Sequence, residues 1–298
     1  MKAIGIILAG GNNNRMKELT AKRAVPALPV AGSFRSIDFA LSSMSNSHIQ
    51  TVAVLTQYNA RSLNEHLSSA KWWNFGRKQG GLFLFTPTVT ADNSDWYRGT
   101  ADAMYQNIDF LKRRHEPYVI ISSGDCVYKL DFNRMLDFHI EKKSDITVVC
   151  KDMMYNDDVS RFGVVRMDDE SRITEFDEKP IEASSNTIST GIYVIRRRQL
   201  IELLEAAAEE NRFDFVNDIL VRYKNVKKIY GYKINSYWNN IADIDAYFKT
   251  NMDFLRLTSE VISSGRSRPS AQRWTTCHRP SLIRAQTFQT ASYQVAVS

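Results

Sequence analysis

Short apolar runs rich in Val, Ile and Leu alternate along the chain with stretches of helical period. The runs at 4–8 and 118–121 predict buried strands, those at 51–56 and 146–150 further strands, and 82–85 a strand-like piece of a flap or edge region. The segments 132–142 and 199–209 space their apolar residues like one face of a helix, and the second consists almost wholly of strong helix formers. Strands alternating with helices predict an α/β fold, a doubly wound, mostly parallel sheet over residues 1–255. Right-handed crossovers would bring the loops at the strand carboxyl ends to one edge, where ligands collect in such sheets.

Candidate chemistry sits in those loops. The first strand runs into Gly10 and Gly11, then a polar loop carrying Arg15, before Pro26 and Pro29 interrupt any helix. Paired glycines let backbone N–H groups approach phosphate oxygens, and Arg15 supplies a forked cation. Neither G-x-G-x-x-G nor G-x-x-x-x-G-K-[ST] follows, which excludes the dinucleotide-binding and P-loop fingerprints. The run at 118–121 delivers Gly124 and Asp125, and a carboxylate at that edge is placed to hold Mg²⁺ against phosphates. Gly99 and Thr100 open a helix whose first backbone groups are suited to a purine edge, with Asp102 favouring its start. Trp72 and Trp73 suit a core or a subunit contact better than base stacking.

Charge narrows the field. The chain of 298 residues carries a net charge of +6, with 43% hydrophobic residues, enough for a substantial core. Of its 39 basic and 33 acidic residues, five Arg and one Glu lie in 259–298, which leaves 34 and 32 in the rest. The body is nearly neutral, so the basic stripe of a nucleic-acid binder is absent. No run approaches the roughly 20 apolar residues of a membrane span, and no secretory leader is seen. Cys126, Cys150 and Cys277 lie far apart without a C-x-x-C pair, which fits a reducing cytoplasm rather than a disulfide or zinc framework.

Several motifs together resemble one family. Leu8-Ala9-Gly10-Gly11, Arg15, Leu19-Thr20, Arg23-Ala24, Pro26-Ala27, Phe34-Arg35 and Ile37-Asp38-Phe39 are similar to the signature of sugar-1-phosphate nucleotidyltransferases, most closely the ADP-glucose pyrophosphorylases, or glucose-1-phosphate adenylyltransferases. The resemblance continues to about Leu255. It implies transfer from ATP to glucose 1-phosphate, giving ADP-glucose and pyrophosphate, in glycogen (α-glucan) biosynthesis. It also implies nucleotide contacts at Gly10, Gly11, Gln57, Gly99 and Thr100, and sugar-phosphate contacts at Glu178, Lys179, Ser189 and Gly191. Arg15 and Asp125 are then the catalytic candidates, with Asp125 as Mg²⁺ ligand.

The chain departs from that pattern where charge matters. Val25 stands at the lysine of the family's RAKP run, Asn240 at the metal carboxylate of WRDVGT, Asn13 at a loop glycine, Ser33 at a residue often basic, and Cys126 at a position usually His. Losing two charged stabilisers of about 3 kcal/mol each predicts a deficit near ~10⁴ in rate. The expectation is therefore a modulatory subunit of a cytoplasmic hetero-oligomer that binds ATP, glucose 1-phosphate or related effectors and acts with a catalytic ADP-glucose pyrophosphorylase subunit, without nucleic-acid or membrane partners. The alternative is an independently active adenylyltransferase in which Lys22 or Arg23 replaces the lost lysine. Residues 256–298, rich in Ser, Thr, Gln and Arg and lacking the hexapeptide repeats of the family's left-handed β-helix, predict a disordered or aberrant tail and a truncated end.

Overall fold

A computed structural model describes residues 2–12, 14–68, 73–75, 80–88, 96–154 and 157–264. Its central sheet begins with β1 (Ala3–Ala9), flanked by β4 (Thr51–Thr56) and β6 (Tyr118–Ser123), with β5 (Gly81–Phe85) at one edge beyond β4. These four run parallel. On the other side β11 (Thr187–Arg196) runs antiparallel to β6, to β8 (Ile146–Asp152) and to β9 (Gly163–Met167). Next to β9 lies β10 (Ile173–Glu178), and next to β8 lies the parallel β12 (Ile229–Lys233). Of these nine strands only β10 and β11 run against the rest, so the sheet is mostly parallel, as expected.

The alternation along β1 explains why helices cover both faces. Ala3, Ile7 and Ala9 point into one layer, against α1 (Ser36–Asn46), α2 (Arg61–Leu67) and α5 (Phe132–Glu141). Ile4 and Ile6 point into the other, against α3 (Thr100–Gln106), α4 (Ile108–Lys112) and α6 (Arg197–Glu209). A strand apolar on both faces is what a doubly covered sheet requires. Trp73 is buried in the first layer, with its ring edge-on to His66; Trp72 lies outside the described residues.

Two small ribbons sit at the carboxyl edge: β2 (Pro29–Val30) with β3 (Phe34–Arg35), and β7 (Cys126–Tyr128) with β13 (Trp238–Asn240). A third apolar cluster under them joins Met16, Val25, Val30, Phe39, Val127 and Ile241 to Phe254 of α7 (Ile244–Ser264). That last helix runs to Ser264, and most of the expected tail, 265–298, lies outside the described residues. No described helix is long and apolar enough to cross a membrane.

Candidate nucleotide and sugar-phosphate cleft

Register aligns three strand ends. Leu8 pairs with Leu55 on one side and Ser123 on the other, so the loops carrying Gly10 and Gly11, Gln57 and Asp125 emerge side by side. The Gly124 N–H donates to the Leu8 carbonyl at 2.9 Å, fixing Asp125 beside the glycine loop. Gly10 packs on Gln57, whereas a side chain at Gly11 would meet nothing within 4 Å, leaving that backbone open to a ligand. Arg15 is exposed on the 3₁₀ segment Asn14–Thr20, and its charge is felt by Asp158. Asn13 lies outside the described residues.

The expected purine-side residues are engaged with the protein itself. Gln57 clamps Tyr97, accepting its N–H at 2.8 Å and donating to its carbonyl at 3.4 Å. Thr100 Oγ accepts from the Phe215 N–H at 2.8 Å, and the Phe213 carbonyl takes the N–H groups of Ala101 and Asp102. Gly99 is needed for that approach, since a Cβ there would lie 2.3 Å from the Phe213 oxygen. The first N–H groups of α3 are thus spent within the chain, and Asp102 receives the Arg98 N–H at 2.8 Å.

At Asp125 the neighbours are neutral. Its Oδ1 accepts from Ser123 Oγ at 2.5 Å and from the Cys126 thiol at 3.4 Å. The Asn240 Nδ2 donates to Cys126 Sγ at 3.3 Å while Asn240 Oδ1 accepts the Ala242 N–H at 2.8 Å, so both ends of the amide are used. Burial, the nearby Asp125 charge and the thiol's bond to that carboxylate push the Cys126 thiol well up, against a smaller opposing effect of Asn240; it stays protonated. Ile241 N–H donates to the Asp125 carbonyl at 3.0 Å, which locks the two strand ends together. Val25 is buried in the apolar cluster with Met16, Val127 and Ile241, while its carbonyl shares Ser36 Oγ with that of Gly124. Ile37-Asp38-Phe39 serves structure: Asp38 receives the Arg35 N–H at 2.9 Å and pairs with His66 at 2.7 Å, and Phe39 packs under the ribbons.

The sugar-phosphate candidates lie on β10 and β11. Gly191 has φ 74°, and a Cβ there would lie 3.6 Å from that of Ser123, next to the Asp125 loop. Ser189 Oγ is 3.4 Å from the buried Tyr193 hydroxyl. Glu178 pairs with Lys179 at 3.2 Å and rests over Gly163, where a Cβ would come within 2.9 Å of its carboxylate. The Lys179 N–H in turn donates to the Phe162 carbonyl at 3.1 Å. Arg161, next to Phe162 in sequence, pairs with Asp243, a contact for which the sequence holds no signal.

Among the described residues no group of three or more His, Cys, Asp or Glu side chains is set to hold a metal ion. The donor set at the strand ends is one carboxylate, Asp125. That suits a Mg²⁺ carried chiefly by substrate phosphates and water, and does not suit an ion caged by protein carboxylates.

Comparison with known proteins gives the family. A nucleotidyl transferase family model matches residues 4–256. The chain is 41% identical over 255 residues to a glucose-1-phosphate adenylyltransferase of Clostridium acetobutylicum, covering 85% of this chain and 67% of that protein. It is 40% identical to the enzyme of that name in Clostridium novyi (85% and 66% covered) and 39% identical to that of Lachnospira eligens (85% and 60%). The chain therefore spans about two thirds or less of the length of these relatives. With the match running from β1 into α7, and the glycine loop, Gln57 and Asp125 gathered at one sheet edge, the chain belongs to the nucleotidyl transferase family.

Proposed function

We propose that this chain is a modulatory member of a glucose-1-phosphate adenylyltransferase assembly, binding ATP and glucose 1-phosphate while a catalytic subunit performs most of the ADP-glucose synthesis for α-glucan. The observation that carries the reading is the neutrality of two positions beside Asp125. Val25 is enclosed by apolar side chains, and both ends of the Asn240 amide are occupied. Phosphoryl transfer depends on cations and ordered charge around the transferred group, so loss of both leaves binding better supported than turnover. The glycine loop, Arg15, Asp125, Glu178 and Lys179 remain to hold phosphate and sugar groups. Mg²⁺ arriving with the triphosphate would be held by Asp125 and would offset phosphate charge.

The alternative, independent activity with Lys22 or Arg23 in place of the lost lysine, has less support. Both are exposed, and the Arg23 charge acts on Arg35 and Tyr247. The reading extends to a cytoplasmic setting, with which the free, buried thiols of Cys126 and Cys150 are compatible. Co-expression with a catalytic glucose-1-phosphate adenylyltransferase tests the role: the two chains are expected to co-purify, and the mixed assembly to differ from the catalytic chain alone in ATP or effector dependence. Failure to associate, with unchanged kinetics of the catalytic chain, would reject it.

A further inference from the structure

Two halves of the cleft are built on separate parts of the sheet, and an ion pair joins them. On one side, Asp125 is tied by its carbonyl to Ile241, and Asn240 is tied to Ala242. Asp243 follows directly and caps α7, its Oδ1 accepting the Ala246 N–H at 2.7 Å. On the other side, Phe162 receives the Lys179 N–H on its carbonyl, stacks edge-on against Trp238 at 5.6 Å, and is followed by Gly163, on which Glu178 rests. Arg161 precedes Phe162, and its Nη1 meets the second oxygen of Asp243. Arg161 Nε is buried with no hydrogen bond and lies 3.8 Å from Asp158, which is held below the usual carboxylate range first by Ser160, then by Arg161 and Arg15. The guanidinium also lies 5.6 Å from the Phe162 ring centre.

We propose that Arg161 and Asp243 are positioning residues, an ion pair that sets the Glu178 and Lys179 side of the cleft against the Asp125 and Asn240 side and so governs affinity for the sugar phosphate rather than for the nucleotide. The pair is half-buried, with side-chain exposures of 31% and 22%, so solvent screens it less than a surface bridge. Its effect should be directional. Gln57, Gly10 and Gly11 follow β1 and β4, and the glycine loop meets this region only through the Arg15 charge acting on Asp158, whereas Lys179 hangs from Phe162 itself. The proposal rests on the reading of Glu178 and Lys179 as sugar-phosphate ligands.

Asp243→Asn separates the pair from the cap, because Asn caps a helix about as well as Asp while removing the charge. The test is calorimetric titration of the full chain with glucose 1-phosphate and, separately, ATP with Mg²⁺, for the parent, Asp243→Asn, Arg161→Gln and the double variant. Each single change is expected to weaken glucose 1-phosphate about tenfold and ATP by less than twofold, with the double variant no worse than either single one. Hydrogen exchange of 157–162 without ligand should rise in both single variants. Additive losses, or equal losses for both ligands, overturn the proposal. So does unchanged sugar-phosphate affinity in folded variants of a parent that binds it. A parent that binds ATP but no glucose 1-phosphate refutes instead the reading on which the proposal rests; the hydrogen-exchange comparison still decides whether the pair holds the loop.

Discussion

Restoring charge to the cleft tests cause rather than resemblance, and the structure sets the expected size of the effect. Val25→Lys places an ammonium among Met16, Val127 and Ile241 in a site where Val25 is only 4% exposed. Held there, the lysine loses its proton, and neutralising a group of unperturbed pKa near 10.4 at pH 7 costs about 4–5 kcal/mol. That is a large fraction of a typical domain's stability and corresponds to a fall in Tm of roughly 10–15 °C at this size. Asn240→Asp alone sets a second carboxylate beside the Cys126 and Asp125 pair, so its stability should recover when Mg²⁺ is added. Ile241 adjoins both positions, so in the double variant the new carboxylate favours the charged form of the lysine. Each position is worth about 3 kcal/mol of transition-state stabilisation, so the double variant should approach a ~10⁴-fold gain in ADP-glucose formation, well beyond either single change. The assay is labelled ADP-glucose production, with circular dichroism melting and ATP binding measured on the same samples. A folded double variant that binds ATP yet stays as slow as the parent would refute the reasoning and direct suspicion to Asn13.

Other outcomes follow from the geometry. His139 is buried, with Nδ1 on Thr147 at 2.8 Å and no hydrogen bond on Nε2; burial, then the Arg196 charge, lowers its pKa to about 4. Because the unfolded chain takes up this proton near pH 6.5, the native state should be at full stability above that pH. It should lose up to about 3 kcal/mol as pH falls towards 4, and a flat Tm across that range in His139→Gln but not in the parent would identify the group. Gly99→Ala should destabilise by about 1–3 kcal/mol through collision with the Phe213 carbonyl, read by urea melting, and an unchanged midpoint would contradict the close approach. Gln57→Ala should release the 96–98 segment, raising its hydrogen exchange, since both clamp bonds to Tyr97 are lost.

Much of this was legible before any coordinates. The period of the apolar runs identified five of the nine sheet strands and a mostly parallel sheet, because residues buried on both faces have little freedom to be anything but Val, Ile or Leu. The convergence of Gly10, Gly11 and Asp125 at one sheet edge followed from topology, whereas Gln57 came only from the family resemblance. What the pattern could not give was the partner of each polar group. Gln57 and Thr100 look in sequence like ligand contacts, yet their side chains hold Tyr97 and Phe215, residues 40 and 115 positions away. Arg161 and Asp243 are 82 positions apart, a separation at which no local period or spacing connects them. Val25 showed only that a charge was missing; the packing that now surrounds it is a tertiary fact.

The central claim is that this chain binds but scarcely turns over its substrates, and pyrophosphate release by the purified chain with ATP, glucose 1-phosphate and Mg²⁺ addresses it most directly. A typical enzyme turns over at ~10 per second, and two missing stabilisers should bring this chain to about 10⁻³ per second. Addition of a catalytic glucose-1-phosphate adenylyltransferase should then yield a mixed enzyme whose activity exceeds the sum of its parts. Release near ~10 per second from the chain alone would contradict the account and establish it as an adenylyltransferase in its own right.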